Sequence, residues 1–326
     1  MKAVVLVGGE GTRLRPLTYA TPKQMLPVGG RPMIERVLER LRSDGVDQAI
    51  LSLGYRPDAF TAAYPDGCCA GVSLHYAVES EPLDTAGAIR FAALEAGIDE
   101  TFVVVNGDVL TGLDLGALVQ FHRDHEAEAT IALTPVEDPS RYGVVPTDDD
   151  GRVIEFVEKP AQGTAPTNLI NAGTYVLEPA VLARIPGDRR VSIERETFPA
   201  LVAEGVLYAL ASDTDWVDAG TPSTYLAANL RYAADPDGSA CIEEGATITG
   251  SVLGDNVTVG PGAVVDGSLL LEGVTVGPDA EIRSSIIGPG ARIGDGASIT
   301  DLAVVGHAAV VGPGSRLSGG RHPEAP

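Results

Sequence analysis

Basic side chains follow a glycine-rich turn near the start of the chain, in the stretch GGEGTRLRPLTYATPK. Arg13 and Arg15 come two and four residues after Gly11, and Lys23 comes ten residues after Arg13. Glycine lets the backbone approach a ligand closely, and consecutive backbone N–H groups in such a turn bind anions. The order of these residues therefore indicates phosphate chemistry.

The two best-known phosphate loops do not fit this turn. A dinucleotide-binding fingerprint requires a third glycine, and Leu14 stands in its place. A P-loop ends in Gly-Lys followed by Ser or Thr, and the turn has no lysine at that position. The sequence thus indicates a phosphate site of another kind.

Lysine is rare in this chain and stands at conspicuous places. Only Lys2, Lys23 and Lys159 occur among the 23 basic residues, and the last two lie in the segments TPK and VEKP. Arginine offers a planar fork, whereas lysine is a compact point charge on a flexible stem. Two interpretations stay open, namely single charges directed at single oxygens, or chance in an arginine-rich composition.

Composition excludes several classes of partner. The formal net charge of −22 argues against nucleic acid or an anionic membrane surface, and it also favours solubility. Three cysteines, two of them the adjacent Cys68 and Cys69, provide no disulfide framework and fit a reducing compartment. The apolar run Ala3–Val7 is too short for a signal peptide, and no stretch approaches the ~18 apolar residues of a membrane span. We therefore expect a cytoplasmic protein with no nucleic-acid or membrane partner.

Strand and helix patterns alternate over residues 1–234, which predicts an α/β fold with a mainly parallel mixed sheet flanked by helices. The predicted strands are Ala3–Val7, Ala49–Leu53, Val72–Ala77, Thr101–Val105, Ala129–Pro135, Tyr142–Val145, Val153–Val157 and Ile170–Leu177. The predicted helices are Arg31–Asp44, Ala86–Ala96, Leu113–His125, Ser192–Ala203 and Pro222–Tyr232. In such folds ligands bind beyond the carboxyl ends of the strands, where the glycine turn and Asp108 both lie.

A different pattern follows a predicted linker at residues 235–239. Over residues 240–318 apolar residues recur every six positions with occasional five-residue steps, which predicts a parallel β-helix of roughly four coils. The predicted inward positions are Leu253, Val259, Val265, Leu271, Val276, Ile282, Ile287, Ile293, Ile299, Val305, Val311 and Leu317. Residues 319–326 are predicted to form a disordered tail.

Several motifs in this order resemble those of the sugar-1-phosphate nucleotidylyltransferases, and most of all the bacterial mannose-1-phosphate guanylyltransferases. They are GGEGTRLRPLT, TPKQMLPV, NGDVL, YGVV, VEKP, NAG and WVDAGTP, followed by the hexapeptide repeat. The resemblance covers nearly the whole chain. It implies a Rossmann-like nucleotidyltransferase fold followed by a left-handed parallel β-helix, and transfer of a nucleotidyl group to a sugar 1-phosphate with release of pyrophosphate.

The resemblance also implies roles for individual residues. Arg13 and Lys23 are expected to be catalytic and to hold the triphosphate, and Asp108 and Asp218 to bind Mg²⁺. Lys159 is expected to neutralise the sugar phosphate. The expected sugar-phosphate site comprises Gly143, Glu158, Lys159 and Asn171, and the expected nucleotide site comprises Gly8, Gly9, Gly11, Thr12, Arg13, Lys23, Leu83, Asp84, Thr85 and Gly87.

One residue departs from the family pattern. In PLDTAG, Asp84 stands where the guanylyltransferases carry glycine, and the glutamine-containing variant of the thymidylyl and uridylyl relatives is absent. Asp tolerates left-handed backbone, so it either preserves the turn, reads the base or repels phosphate. We expect GTP and mannose 1-phosphate as substrates, with another base, another sugar or a cyclitol phosphate as the alternative.

Two rival functions come from other classes. A non-catalytic nucleotide-sugar sensor would not need all the charged residues that the motifs retain. An acyltransferase active in the β-helix would have only His307 as a general base within the repeats. We therefore expect the β-helix to support formation of a homo-oligomer.

Overall fold

The computed structural model describes residues 1–54, 56–233 and 239–323. Its helices are α1 (Leu17–Ala20), α2 (Met33–Ser43), α3 (Pro57–Ala63), α4 (Asp84–Glu95), α5 (Leu115–Asp124), α6 (Ala180–Arg184), α7 (Phe198–Glu204) and α8 (Pro222–Arg231). None of the helices in these ranges combines the length and the hydropathy that a membrane span requires.

The strands fall into two series. The first contains β1 (Lys2–Leu6), β2 (Pro27–Val28), β3 (Arg31–Pro32), β4 (Gln48–Leu53), β5 (Cys68–Cys69), β6 (Val72–Val78), β7 (Phe102–Asn106), β8 (Val109–Thr111), β9 (Ala129–Pro135), β10 (Gly143–Val144), β11 (Val157–Glu158), β12 (Leu169–Leu177), β13 (Leu207–Ala211) and β14 (Trp216–Asp218). The second contains β15 (Cys241–Ile242), β16 (Thr247–Thr249), β17 (Val252–Leu253), β18 (Thr258–Val259), β19 (Val264–Asp266), β20 (Leu269–Leu270), β21 (Thr275–Val276), β22 (Glu281–Arg283), β23 (Ile286–Ile287), β24 (Arg292–Ile293), β25 (Ser298–Thr300), β26 (Val304–Val305), β27 (Val310–Val311), β28 (Arg316–Ser318) and β29 (Arg321–His322).

The first compact unit, residues 1–9 and 34–217, is built on a ten-stranded mixed sheet. Its centre is parallel, with Val4 of β1 opposite Ile50 of β4 and Val104 of β7. These three side chains are fully buried, as expected of strands covered by helices on both faces. The mixed, centrally parallel sheet predicted from the sequence is thus confirmed.

Several predicted motifs follow the carboxyl ends of the central strands, and these ends lie together along one edge of the sheet. The strands β1, β4, β6 and β7 run parallel, so their carboxyl ends lie at the same edge. The glycine turn follows β1, the PLDTAG segment follows β6 and the NGD segment spans the end of β7. Because β12 is antiparallel to β7, its amino end reaches this edge as well, with Thr174 opposite Val105.

The second compact unit, residues 10–33 and 218–326, contains the parallel β-helix. Three sheets of five parallel strands each define five coils in the described residues, where the hexad pattern predicted about four. The additional strands lie at the two ends, where β15 and β16 precede the first predicted position and β29 follows the last.

The inward positions agree with the predicted pattern except at Leu271. The paired series is Leu253, Leu270, Ile287 and Val305, so Leu270 fills the position that was assigned to Leu271. The five-residue step therefore comes before residue 270 and not after 271. Because residues 269–271 are all leucine, the periodicity alone does not show which of them occupies the inward position. The backbone pairing identifies Leu270.

The structure corrects the predicted tail. Residues 321–322 form β29, which pairs in parallel with β26 and so extends the third sheet of the β-helix. The reason is that β26 presents an open edge to which the following chain adds. Residues 324–326 of that prediction lie outside the described residues, as do residues 235–238 of the predicted linker.

The division between the units differs from the predicted boundary at residue 234. Residues 10–33 and 218–233 group with the β-helix because α8 holds the segment after the TPK motif. The Tyr225 hydroxyl donates to the Pro27 carbonyl at 2.6 Å, and the Gly29 N–H donates to Asn229 Oδ1 at 3.1 Å.

Two predicted elements take a different form. In place of a strand over Val153–Val157, Val153 forms only an isolated bridge with Thr147, and β11 begins at Val157. In place of one helix over Ser192–Ala203, a π-helical turn over Ile193–Thr197 precedes α7. Both segments are shaped by contacts with distant strands and loops, which local periodicity does not report.

Candidate active site

Gly11 occupies a position that only glycine fits. Its φ is +60°, and a Cβ atom there would lie 2.9 Å from Thr18 Cγ2 and 3.3 Å from Lys23 Cβ. The Thr18 hydroxyl donates to the Gly11 carbonyl at 2.9 Å. The turn and Lys23 are therefore adjacent through a close contact that a side chain at residue 11 would disrupt.

The backbone of this turn offers consecutive hydrogen-bond donors. Within the described part of the chain, none of the N–H groups from Gly8 to Arg13 donates to a protein acceptor. The next two amides, of Leu14 and Arg15, donate to the Gly11 and Thr12 carbonyls and close a short 3₁₀ turn. A run of exposed, unused donors beside cationic side chains is suited to an anion such as a phosphate chain.

Arg13 lies next to Asp218. A Cβ atom at Gly220 would be 3.0 Å from Arg13 Nη2 and 2.7 Å from Asp218 Oδ1, so both charged groups face the same glycine. Asp218 Oδ1 also accepts the Gly220 N–H at 2.9 Å. A side chain at residue 220 would collide with both charged groups. Only glycine therefore fits at this position of the DAGTP motif.

Arg15 is engaged differently. Its guanidinium pairs with Glu10 and lies 5.3 Å from the centre of the Tyr19 ring. Both contacts are with neighbouring residues of the same segment, so they indicate a structural role for the Arg15 side chain.

The NGD segment packs tightly against the end of β1. A Cβ atom at Gly107 would lie 2.7 Å from Val7 Cγ1, and the Gly107 N–H donates to the Leu6 carbonyl at 2.9 Å. This packing leads directly to Asp108, whose side chain is half-buried in the turn before β8. The sheet therefore places Asp108 beside the start of the glycine turn.

Each of the two predicted metal-binding residues carries a side chain of the type that magnesium prefers. Asp108 and Asp218 each supply a half-buried carboxylate next to a strand end, the hard oxygen donor that Mg²⁺ prefers. In the described ranges, no group of three or more His, Cys, Asp or Glu residues could hold a metal ion. Mg²⁺ typically keeps waters and takes one or two carboxylates plus substrate phosphates, so it does not require a cage of protein ligands.

Asp84 adopts the left-handed conformation that its position requires. Its φ is +62°, at the first residue of α4, and its carboxylate accepts the Thr85 N–H at 2.8 Å. Glycine reaches this conformation without steric cost, and Asp is among the residues that tolerate it. The side chain thus has a role in the turn itself.

The rest of this segment is fixed by residues 191–194. The Thr85 hydroxyl donates to Glu194 Oε2 and accepts the Ile193 N–H, both at 2.8 Å. The Gly87 N–H donates to the Val191 carbonyl, and a Cβ atom at Gly87 would lie 2.9 Å from Leu83 Cβ. The Leu83 carbonyl accepts the Val191 N–H, so Leu83 and Gly87 are held by Val191, and Thr85 is held by the start of the π-helical turn.

On the other side of the sheet edge, Glu158 and Lys159 form an ion pair. Lys159 Nζ lies 2.7 Å from Glu158 Oε1, with the lysine side chain 60% exposed and the glutamate 22% exposed. Gly143 pairs with Glu158 across the strands, and a Cβ atom there would lie 2.6 Å from the Phe156 ring and 3.2 Å from Glu158 Oε2. Gly143 therefore leaves room for Glu158.

Asn171 is oriented by two hydrogen bonds at a bulge in β12. Its Oδ1 accepts the Gly173 N–H at 2.9 Å, and its Nδ2 donates to the Tyr175 hydroxyl at 2.9 Å. Burial, reinforced by the nearby Glu194 charge, raises the pKa of Tyr175 far above its usual range, so this hydroxyl stays neutral. A Cβ atom at Gly173 would lie 2.5 Å from Asn106 Nδ2, so the NAG and NGD motifs are adjacent.

The sequence interpretation missed two aromatic residues beside this group. The Tyr142 and Trp216 rings meet edge to face with centroids 5.5 Å apart, and the Trp216 indole donates to the Ala172 carbonyl at 3.0 Å. The Tyr142 carbonyl accepts the Lys159 N–H at 3.0 Å. Trp216 is the only tryptophan in the chain, which was the available signal.

The predicted residues divide into two groups according to the unit that holds them. One group consists of Gly8, Gly9, Leu83, Asp84, Thr85, Gly87, Asp108, Gly143, Glu158, Lys159 and Asn171. The other group consists of Gly11, Thr12, Arg13, Lys23 and Asp218. Within the first group the sheet edge aligns the motifs, and within the second Gly11 and Gly220 bring the charged side chains close to the turn.

Two family patterns match the chain. The pattern described as nucleotidyl transferase matches residues 2–235, and the pattern described as EIF2B subunit epsilon LbH domain matches residues 237–317. The second match covers the repeats and agrees with a left-handed β-helix.

Individual proteins are similar over most of the chain. A mannose-1-phosphate guanylyltransferase of Mycobacterium tuberculosis is 42% identical over 277 residues, which cover 79% of this chain and 76% of that protein. A mannose-1-phosphate guanyltransferase of Aspergillus fumigatus is 42% identical over 71% of this chain, which spans only 64% of the fungal protein's length. The crystal structure of HddC from Yersinia pseudotuberculosis complexed with GMP-PN is 32% identical with a TM-score of 0.62, covering 71% of this chain and 99% of that one.

Proposed function

The chain belongs to the nucleotidyl transferase family, and we propose that it transfers a guanylyl group from GTP to mannose 1-phosphate and releases pyrophosphate. A phosphate oxygen of the sugar 1-phosphate forms a bond to the α-phosphorus of the triphosphate. At the same time the bond from that phosphorus to the bridging oxygen of the β-phosphate breaks, so pyrophosphate leaves. No covalent intermediate with the protein is required.

The observation that carries this proposal is the row of unused backbone donors from Gly8 to Arg13 beside two cationic side chains. The donors bind the phosphate chain of the nucleotide. Arg13 and Lys23 stabilise the negative charge that grows on the phosphoryl oxygens during transfer. Positioning and electrostatics of this kind are sufficient for phosphoryl chemistry.

Asp108 and Asp218 would hold Mg²⁺. When bound, the ion supplies positive charge to the phosphate oxygens. The Gly220 N–H fixes Oδ1 of Asp218, and the Arg13 guanidinium faces the same glycine.

The sugar 1-phosphate binds at the residues grouped around β11 and β12. Lys159 neutralises its phosphate, while Glu158 and Asn171 hydrogen-bond the sugar hydroxyls. The ion pair between Lys159 and Glu158 supports this assignment because it keeps the cation beside the carboxylate before substrate arrives.

The choice of base and sugar rests on the similar proteins. The two relatives described above are named for mannose 1-phosphate and guanylyl transfer, and the HddC structure contains GMP-PN. The segment from Leu83 to Gly87 lies at the sheet edge and forms the base pocket. The Asp84 carboxylate accepts the Thr85 N–H, which supports a role in preserving the turn, and base reading by the same side chain is the alternative. Another base or another sugar or cyclitol phosphate is the alternative.

We also expect a homo-oligomer that forms through the β-helix. The first coil exposes Ile242 at an inward position, 49% accessible, and the last coil exposes Val310, 63% accessible. Exposed apolar side chains at strand edges favour association with another chain. Light scattering tests the oligomer, and a molar mass equal to that of the monomer would contradict it. A cytoplasmic location fits the three free cysteines.

A pyrophosphate-release assay tests the proposed function. GTP, dTTP, UTP and ATP are each combined with mannose 1-phosphate, glucose 1-phosphate and an inositol phosphate. We expect GTP with mannose 1-phosphate to give the highest kcat/KM, by roughly tenfold or more over the other bases, because unpaired polar groups in a base pocket are costly. Preference for dTTP would overturn the base, and no pyrophosphate from any pair would overturn the function.

A further inference from the structure

The last coil of the β-helix contacts the backbone of the arginine-bearing turn. Arg321 Nη2, on β29, donates to the Arg13 carbonyl at 3.1 Å, across 308 positions of the chain. Strand β29 is itself held in the third sheet, where Arg321 pairs with Val304. A residue at the end of the repeats thus holds the peptide group that follows Arg13.

A second contact lies three residues further along the turn. A Cβ atom at Gly306 would lie 3.0 Å from Pro16 Cγ and 3.1 Å from Pro16 Cβ, so the proline ring packs directly on this glycine. The Gly306 N–H also donates to the His322 carbonyl at 2.7 Å, which ties the same corner to β29.

The corresponding corners of two earlier coils show which atoms normally pack on a glycine at the position of Gly306. Gly254 and Gly288 stand at the same corner as Gly306, and a Cβ atom there would meet the backbone of the next coil, at 2.8 Å from Glu272 N and 2.7 Å from Gly306 C. On Gly306 itself the nearest atoms belong to Pro16. The turn therefore covers the end of the repeat as a further coil would.

We propose that the terminal coil, residues 306–322, positions the Arg13–Pro16 turn for nucleotidyl transfer, and that Arg321 is the positioning residue for Arg13. This inference rests on the proposed function. The 3₁₀ turn at Thr12–Leu14 is only three residues long, so its own hydrogen bonds fix it weakly. The Arg321 guanidinium fixes the carbonyl of Arg13, and the Pro16 ring on Gly306 fixes the exit of the turn.

The consequence concerns the direction of the Arg13 side chain. Rotating the peptide group after Arg13 would turn the neighbouring backbone donors and move the guanidinium away from Asp218 and Gly220. A small misplacement of a transition-state donor is costly, because catalysis depends on alignment to within fractions of an ångström. Arg321 acts through Arg13 and has no contact with the reacting atoms in this account.

The test compares Arg321→Ala with Arg316→Ala, an exposed arginine on the neighbouring strand of the same coil. We expect Arg321→Ala to lower kcat on the order of tenfold, with the KM for mannose 1-phosphate and the melting temperature unchanged. Arg316→Ala should keep the wild-type kcat. Arg321→Lys retains a cationic donor and should recover most of the lost kcat.

Amide hydrogen exchange provides a readout that does not depend on activity. The Leu14 and Arg15 amides, which close the turn, should exchange several-fold faster in Arg321→Ala than in wild type and in Arg316→Ala. Unchanged exchange, an unchanged kcat or an equal loss in Arg316→Ala would overturn the inference. If the wild type released no pyrophosphate with any substrate pair, the proposed function would fail, and the exchange comparison would still decide whether Arg321 holds the turn.

Discussion

The Thr85 hydroxyl and the Glu194 carboxylate are 2.8 Å apart, and this bond ties the proposed base segment to the π-helical turn more than a hundred residues later. The same hydroxyl accepts the Ile193 N–H. We predict that Thr85→Val, which keeps the shape and removes both bonds, raises the KM for GTP and costs about 1–3 kcal/mol of unfolding free energy. The KM for mannose 1-phosphate should not change.

Thr85→Ser is the matched control because it retains the hydroxyl. It should remain close to wild type in both steady-state kinetics and chemical denaturation. Equal damage from the two variants would mean that the methyl group, and not the hydrogen bonds, holds the segment.

Arg13→Ala and Lys23→Ala should each lower kcat by roughly 10²–10³, the usual cost of losing one transition-state donor. The physical reason is that Arg13 belongs to the row of unused backbone donors and the Lys23 side chain begins next to Gly11 in that row. Arg15→Ala is the control, since its side chain is engaged with Glu10 and Tyr19, and it should lose far less. A near-normal kcat in either of the first two variants would remove that residue from the catalytic set.

Asp108→Asn and Asp218→Asn should each raise the Mg²⁺ concentration needed for half-maximal activity. An amide lacks the charge that holds a hard cation. Activity should vanish with a chelator and return when Mg²⁺ is added. The measurement is a magnesium titration of pyrophosphate release, and full activity of both variants at low Mg²⁺ would show that the two carboxylates do not bind the ion.

Lys159→Ala should raise the KM for mannose 1-phosphate at least several-fold, with a smaller effect on the KM for GTP. Removing the cation leaves the sugar phosphate without its counter-charge and leaves Glu158 without its partner. Lys2→Ala, at the opposite end of β1, is the lysine control and should behave as wild type. An equal rise in both KM values would contradict the assignment of Lys159 to the sugar phosphate.

His122 should make stability depend on pH. Burial lowers the pKa of its imidazole below the ordinary 6.5, against the opposing effect of the Glu178 hydrogen bond, so the ring is neutral in the fold. As pH falls below 6.5, the unfolded chain binds a proton that the folded chain resists, and the unfolding free energy decreases by at most about 1.4 kcal/mol per pH unit for this one group. Above that pH its contribution is fully present.

This pH dependence is checked by denaturant unfolding of wild type and of His122→Gln, each measured near neutral pH and at pH values below 6.5. The variant should be less stable near neutral pH but should show a smaller loss on acidification. Parallel pH profiles for wild type and His122→Gln would show that His122 does not contribute.

The sequence predicted the fold well wherever local patterning and burial agree. The central strands are apolar because both sheet faces are covered, and the six-residue period of the β-helix is a direct result of its three-sided coil. Leu271 was assigned wrongly because residues 269–271 are all leucine, so only the pairing of Leu270 with Leu253 and Ile287 settles the register.

Contacts between distant parts of the chain could not be predicted. Nothing local to Arg321 indicates that its guanidinium donates to the carbonyl of Arg13, and the strand at 321–322 forms only because β26 offers an edge. The Tyr142–Trp216 pair likewise depends on the return of β14 beside the sugar-phosphate residues. Motif residues were found from the sequence because glycine and charge are conspicuous, whereas the residues that support them are ordinary in type.

The most direct test of the account follows the α-phosphorus of GTP. The full-length protein is incubated with α-labelled GTP, mannose 1-phosphate and Mg²⁺, and the labelled species are separated. We predict that the label appears in GDP-mannose in equal amount to the pyrophosphate released, with none attached to the protein. Label that remains in GTP, appears only as GMP or becomes bound to the protein would contradict direct transfer to the sugar phosphate.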